Sequence, residues 1–411
     1  LIRSLCMAVA TAFALSGCMT PQNTTTEEAA SAVPPAASAT TEDPYLWLEE
    51  VEGDRALNWV RNQSQRTLSD LQANPIYADL NEQALEVVNS SERIPYGTIR
   101  DGYVYNFWQD ATNIRGLWRR TTLESYASEA PQWETILDFD KLAESEGKNW
   151  VYKGANCYTA KAKADYKCLI SLSNGGKDAV VIREFDLTSK SFVNDGFTLP
   201  EAKSGVTWVD YNTLLVATDW GGDGSTLTDS RYPSVVKRWQ RGTSLSDATT
   251  LFSGKKNDVG VWPFTQERDD GTRLEGVVVA PTFFTSEYYI FPAGKEAVRL
   301  PLPEKADIVG WFEGQLIFTI KQDWTVEAGG SATHYSTGSL LAMPFTEAGE
   351  IPPETVPEVI FEPNDRQAIE GVSITKGQLL MTLSDNVVGK VFAITKAGNQ
   401  WQREQLDLPA N

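Results

Sequence analysis

The sequence predicts an all-β protein, a β-propeller preceded by a short helical segment, and three observations predict it. Helical periodicity is confined to residues 43–92, and beyond Arg93 the apolar period drops to two and stays there to the end of the chain. Turn-rich breaks recur about every 50 residues along that stretch, at the long end of propeller repeats. With 41% hydrophobic and 10% aromatic residues in a chain of 411, there is enough apolar material for a large core.

The first segment reads as an address. Residues 1–17 carry Arg3 and an apolar stretch from Leu5 to Leu15, then Leu15-Ser16-Gly17-Cys18. This is too short and wrongly flanked for a transmembrane helix. It resembles a bacterial lipoprotein signal peptide, which implies cleavage before Cys18, a lipid on the Cys18 thiol and a membrane-anchored protein facing the periplasm. Residues 18–42, from residue 19 on mostly Thr, Ala, Ser, Pro and Glu without apolar period, are expected to form a disordered tether.

In the helical segment, residues 43–92, Asp54 is placed to cap a helix carrying Leu57, Val60, Leu68 and Leu71 near the 3.6 period. Asn74-Pro75 is placed to start a second, with Ile76, Leu80, Ala84, Val87 and Val88 on one face. Both stripes call for a packing partner.

Residues 93–411 form the propeller. Their β-rich runs are Tyr103–Trp108, Leu117–Thr122, Lys167–Leu172, Val180–Phe185, Thr213–Thr218, Val235–Gln240, Leu274–Ala280, Glu287–Phe291, Gln315–Ile320, Ser339–Pro344, Gln378–Leu383 and Lys390–Thr395, with nothing helical between them. One sandwich cannot absorb so many strands, whereas radial repetition can, because each blade buries its faces against its neighbours. Turn-rich starts near Pro95, Phe139, Leu199, Ser253, Pro303 and Phe361 mark about six units.

Charge and composition exclude several classes of function. The formal charge is −19, from 36 basic and 55 acidic residues, with no basic cluster, so nucleic acid is not an expected partner. The only histidine, His334, lies in a glycine-rich polar stretch that reads as an exposed loop between strands. No cofactor and no metal site are expected. Ser173, in Leu172-Ser173-Asn174-Gly175-Gly176, is the nearest approach to a nucleophile elbow, but Ser171 and Leu172 stand where leading glycines belong and a strand follows, so a hairpin turn is the expectation. Asp219, Asp223 and Asp229 could suggest a glycosidase pair, although Gly221-Gly222-Asp223-Gly224 reads first as a long turn. Cys157 and Cys168 flank a polar segment able to fold back, and in an oxidising compartment a disulfide between them is expected. No residue of the chain is assigned a catalytic role.

Asp43-Pro44-Tyr45-Leu46-Trp47-Leu48-Glu49-Glu50 resembles the opening of the prolyl oligopeptidase family of serine peptidases. Ile94-Pro95-Tyr96 through Trp118-Arg119-Arg120 is similar to that family's first blade, and Leu227-Thr228-Asp229-Ser230 through Trp239 to a middle blade. The resemblance implies a seven-bladed propeller inserted in an α/β-hydrolase domain that supplies the Ser/Asp/His triad, with the helical segment packing on that domain. About six blades are covered here, so the propeller is expected to be incomplete, its terminal blades lacking partners, and the catalytic domain absent. The function so implied is that of a substrate-gating propeller in a periplasmic serine oligopeptidase, reaching short peptides through the hydrolase domain. The alternative is a stand-alone propeller lipoprotein that binds a protein or glycan without catalysis.

Overall fold

The computed structural model describes residues 43–408 apart from 51, 91, 159–165, 269–272, 293, 346–350 and 353. Cys18, with the signal and tether, lies outside the described residues. The chain divides into two units, residues 1–83 and 84–411.

In the first unit a 3₁₀ turn, Leu46–Glu49, precedes helix α1, Asp54–Gln72. Gly53, in extended backbone, takes the N-cap position that the sequence suggested for Asp54; Asp54 begins the first turn, where its charge still suits the positive end of the helix dipole. Trp47 meets Trp59 edge to face at 6.4 Å, and the Arg55 guanidinium lies 4.0 Å from the Trp47 ring centre. The apolar stripe of α1 stays open, with Val60, Leu68 and Leu71 about half exposed and Ala56 the buried residue of the helix. Helix α2, Tyr77–Asn89, starts two residues later than the sequence suggested: the Asn74 carboxamide oxygen accepts the Ile76 N–H at 3.1 Å in a turn, and Pro75 sits in that turn rather than in the helix.

The second unit is a propeller of six antiparallel blades, five of four strands and one of five. Blade one holds β1 (Thr98–Arg100), β2 (Tyr103–Trp108), β3 (Leu117–Thr122) and β4 (Glu134–Asp138). Blade two holds β5 (Trp150–Cys157), β6 (Lys167–Asn174), β7 (Val180–Asp186) and β8 (Ser191–Phe192), and β9 (Thr198–Ala202) also pairs with β7. Blade three holds β10 (Gly205–Asp210), β11 (Thr213–Ala217), β12 (Val235–Gln240) and β13 (Thr249–Ser253). Blade four holds β14 (Gly260–Glu267), β15 (Arg273–Thr282), β16 (Thr285–Ile290) and β17 (Val298–Arg299). Blade five begins with β18 (Ala306–Phe312) and β19 (Gln315–Ile320), detours through a hairpin of β20 (Trp324–Ala328) and β21 (Ser331–Tyr335), and resumes with β22 (Leu340–Pro344) and β23 (Glu358–Phe361). Blade six holds β24 (Gln367–Ile374), β25 (Leu379–Asp385), β26 (Val388–Ala397) and β27 (Gln400–Leu406).

The expectation that no helix interrupts the strands is corrected by two short ones, α3 (Leu123–Tyr126) and α4 (Phe139–Glu146). Both have an N-cap side chain. Thr122 Oγ1 accepts from Ser125 N and Asp138 Oδ1 from Lys141 N, while Gly147, at φ 60°, ends α4 in the left-handed region.

Five apolar cores join the blades in chain order. Trp118 packs with Ile170 and Phe185 between blades one and two, and Leu169 and Phe197 with Trp208 and Trp239 between two and three. Leu215 and Val236 pack with Val261 and Val277 between three and four, Tyr288 and Ile290 with Phe318 and Leu341 between four and five, and Ile317 and Phe361 with Met381 and Ile394 between five and six. Among the described residues no sixth core joins blade six back to blade one. The first strands of blades two to six neighbour one another in succession, β10 and β14 through a Thr207–Thr265 hydroxyl contact of 2.9 Å, so they are the inner strands.

The outer face of blade one is partly covered by its own approach segment. Asn106 Nδ2 donates to the Tyr96 carbonyl at 2.7 Å, and the chain passes so close at Gly97 that a Cβ there would lie 2.5 Å from the Tyr105 carbonyl oxygen. Only glycine fits that crossing.

Candidate functional site

Topology separates the two ends of the propeller. In every blade the first and third strands start, and the second and fourth strands finish, at one end, here the upper end. The chain therefore enters β1 and leaves β27 at the upper end.

Within the blades, and apart from Ile99 of β1 at 67%, the most exposed apolar side chains lie there. Ile94 and Tyr96, just before β1, are 63% and 76% exposed; Ile114, in the upper turn of blade one, is 73% exposed. Phe283 and Phe284 at the β15–β16 tip reach 82% and 85%, and Val387 at the β25–β26 tip 91%. Among the described residues at the lower end, Leu123 of α3, Val298 of β17 and Val356 before β23 are only 39–43% exposed. Large apolar side chains held in water at one end of a fold point to a contact surface there.

The residues singled out from sequence fall elsewhere and do not converge. Ser173 is fully buried in β6, and its hydroxyl donates to the Lys177 carbonyl at 2.7 Å, closing the β6–β7 hairpin. That is a strand position, not an elbow. His334 is corrected from a loop to a strand: it sits exposed in β21, with Nδ1 3.3 Å from Thr325 Oγ1 across the hairpin. It belongs to blade five and Ser173 to blade two. Asp219 accepts from Gly224 N and Thr226 Oγ1, and Asp223 accepts from Ser225 N at 2.9 Å. The side chain and backbone of Ser225 hold the Asp223 carboxyl below the usual carboxylate range, opposite to what a general acid needs. The backbone N–H of Asp229 ties the same loop to the Lys256 carbonyl at 2.8 Å.

Cys157 and Cys168 are joined by a disulfide. They face each other directly in the β5–β6 register with Cα atoms 3.9 Å apart, at the lower end of blade two. The Arg100 guanidinium of β1 lies 4.0 Å from the Cys168 sulfur, and burial lowers its pKa.

Two polar clusters were not foreseen. Glu184 of β7, its side chain wholly buried, receives a bidentate pair from Arg241 at 2.8 and 3.0 Å and the Phe197 N–H at 2.8 Å. Arg241 stacks on Phe197 and Tyr211, bridging blades two and three beside a cavity of about 330 Å³ lined also by Asp195, Trp239 and Ser244. Its guanidinium is already committed to protein partners, which leaves Asp195 as the other charged side chain of the lining. On blade one, Arg119 lies 4.3 Å from both the Trp108 and Trp133 ring centres and donates to Asn106 Oδ1 at 2.8 Å. Burial brings its pKa down to about 10 although Asp110 opposes the shift. Cation–aromatic stacks leave no periodic trace in a sequence; only the mixed Arg/Trp composition of β2 and β3 hinted at this one.

Residues 21–411 match the family model described as prolyl oligopeptidase, N-terminal beta-propeller domain. A protein of Sinorhizobium fredii named as an uncharacterised peptidase is 38% identical over 420 residues, covering 100% of this chain and 56% of the relative. A second uncharacterised peptidase, from Rickettsia prowazekii, is 31% identical over 87% of this chain and 50% of its own length. The chain thus spans about half the length of the curated relatives it matches. Among solved structures, a post-proline cleaving enzyme from Rickettsia typhi superposes with a TM-score of 0.78 at 31% identity, covering 88% of this chain and 53% of that one. Prolyl oligopeptidase B from Galerina marginata, at 14% identity and TM-score 0.63 over 88% of this chain and 50% of its own, shares the fold.

Proposed function

From the premise that this chain belongs to the prolyl oligopeptidase family, we propose that it is the substrate-gating propeller part of a periplasmic, lipid-anchored serine oligopeptidase. The observation that carries the reading is the upper end of the propeller, where the chain both enters and leaves and where the exposed apolar residues gather. A second domain joined there would sit over the ring, and substrate would reach it past the propeller. The other half of each relative's length gives such a domain room to exist.

The hydrolase domain would hold the serine nucleophile and its base, since Ser173 and His334 lie on different blades and neither is paired with the other. What the propeller would contribute is enclosure, its blades restricting a cavity to chains thin enough to pass. Because the similar Rickettsia typhi protein is a post-proline cleaving enzyme, peptides containing proline are the first substrates to try. Lipidation at Cys18 would hold the assembly at the membrane with the tether as spacer.

Fluorophosphonate labelling tests the reading. The 411-residue chain should take no label, whereas the full-length gene product should be labelled once, in its hydrolase domain, and should cleave a short proline-containing peptide but not a folded protein. Labelling of Ser173 in the shorter chain, abolished by Ser173→Ala, would overturn this assignment.

A further inference from the structure

The upper rim contains one feature built unlike the others. At the β15–β16 tip two consecutive phenylalanines, Phe283 and Phe284, project at 82% and 85% exposure. The turn beneath them is fixed: Thr282 and Thr285 face each other in the register, their hydroxyls are 2.7 Å apart, and the Phe284 N–H donates to Thr282 Oγ1 at 3.2 Å. Neither ring belongs to any of the five cores. Two large aromatic rings are thus held in water on a preformed turn, which lowers the ordering cost of any contact they make.

Their place in the ring matters. The chain crosses the upper end at blade one and blade six, whereas the Phe–Phe tip belongs to blade four, in the interior of the arc and away from both crossings. Covalent linkers before blade one and beyond blade six would restrain a second domain on one side only. On the other side, non-covalent contact alone would hold it down.

We propose that Phe283 and Phe284 form a releasable apolar latch, by which blade four grips the hydrolase domain opposite its covalent linkers, so that this contact sets how readily the enclosed cavity opens. The proposal rests on the functional reading above and adds the residues that control opening. Two solvent-held phenylalanines suit a latch, since their contact is strong enough to close yet has no charge pairing or buried hydrogen bond to break on release.

The test compares oxidative footprinting of Phe283 and Phe284 in the 411-residue chain and in the full-length gene product, each as a monomer without lipid. Several-fold slower oxidation in the full-length protein is expected. In that protein the Phe283→Ser/Phe284→Ser variant should raise kcat/KM for long peptides several-fold and leave short peptides little changed, because only long substrates need wide opening. The variant touches no core, so loss of folding would not confuse the result. Equal oxidation in the two proteins overturns the latch, as does protection that appears only on self-association or only with phosphatidylethanolamine–phosphatidylglycerol vesicles. A protein that takes fluorophosphonate but leaves the tip unprotected rejects the latch and keeps the enzyme. A protected tip without fluorophosphonate labelling keeps the docking contact and rejects the enzyme.

Discussion

Val387 shows how a single residue can work against the fold that carries it. Asn386 and Val387 close the β25–β26 hairpin with φ of 52° and 71°, the pairing that favours Asn-Gly, and a β-branched side chain in the left-handed region costs about 1–2 kcal/mol. Gly would remove that strain and lose part of the gain to unfolded-state entropy. Val387→Gly is therefore expected to stabilise the propeller by about 0.5–1 kcal/mol, read as a higher urea midpoint; an unchanged or lower midpoint would show that the backbone is not strained. The cysteine pair works the other way. Closing the loop between Cys157 and Cys168, 11 residues apart in sequence, restricts the unfolded chain, so Cys157→Ser/Cys168→Ser should cost about 2–3 kcal/mol. Non-reducing peptide mapping should show the two linked, and full alkylation of both thiols in unreduced protein would remove the basis of that figure. At this scale the sequence was legible where chemistry is local. Two cysteines flanking a polar segment announce a bridge, but nothing in Thr282-Phe283-Phe284-Thr285 tells a buried pair of rings from an exposed one, because that depends on which end of which blade they occupy.

The strands readable from sequence were the second and third of every blade, and the reason is burial. β6, β11 and β19 are buried along nearly their whole length because neighbouring blades cover both faces, so they appear as apolar runs with abrupt ends. First and fourth strands face the axis or solvent on one side and lose that signature, as in β24, where no residue is fully buried, and β27, where exposed residues predominate. The helices α3 and α4 are too short to establish a period. Between elements, polar ties add to the apolar cores. Removing Arg241 leaves the buried Glu184 carboxylate without its cation, and Arg241→Ala should cost about 3–5 kcal/mol, while Glu184→Gln/Arg241→Met should recover much of it. A loss under about 1 kcal/mol would mean that water reaches Glu184. Between blades five and six, Glu358 accepts from Lys396 at 2.8 Å, Trp401 at 2.9 Å and Gln315 at 3.0 Å. Burial pushes the Glu358 pKa upward, but these donors together hold it below its ordinary value of 4.5. A folded-state pKa below the unfolded one gives stability that is complete above pH 4.5 and lost as the pH falls through the folded value. The stability difference between the wild type and Glu358→Gln should thus be constant near neutrality and shrink in acid; a gap that stays independent of pH well into the acid range would rule out this linkage.

For the six blades the decisive number is five, the number of cores that join them among the described residues. A closed ring of six would need a sixth, so the blades form an arc whose terminal blades each have one neighbour, whereas every interior blade has two. The faces left over are unlike each other. That of blade six is small and weakly polar, with Leu380, Thr382, Val391, Ala393 and Thr395 along β25 and β26, whereas blade one carries the Arg119–Trp108–Trp133 stack behind its approach segment. This asymmetry could not be read from the sequence, because assigning a strand residue to a covered or an open face requires the order of blades around the axis. In such a nearest-neighbour array, stability is a sum of blade and interface contributions, and opening starts where an interface is missing. Native-state hydrogen exchange of the 411-residue chain should therefore be graded, with β11 and β15 of blades three and four exchanging slowest and β2 and β25 of blades one and six fastest. A hydrophobic dye should bind at the faces that the terminal blades leave open. Uniform protection across all six blades, with one sharp unfolding transition and no dye binding, would mean that blades one and six support each other after all, and the propeller would then behave as a closed ring able to stand alone.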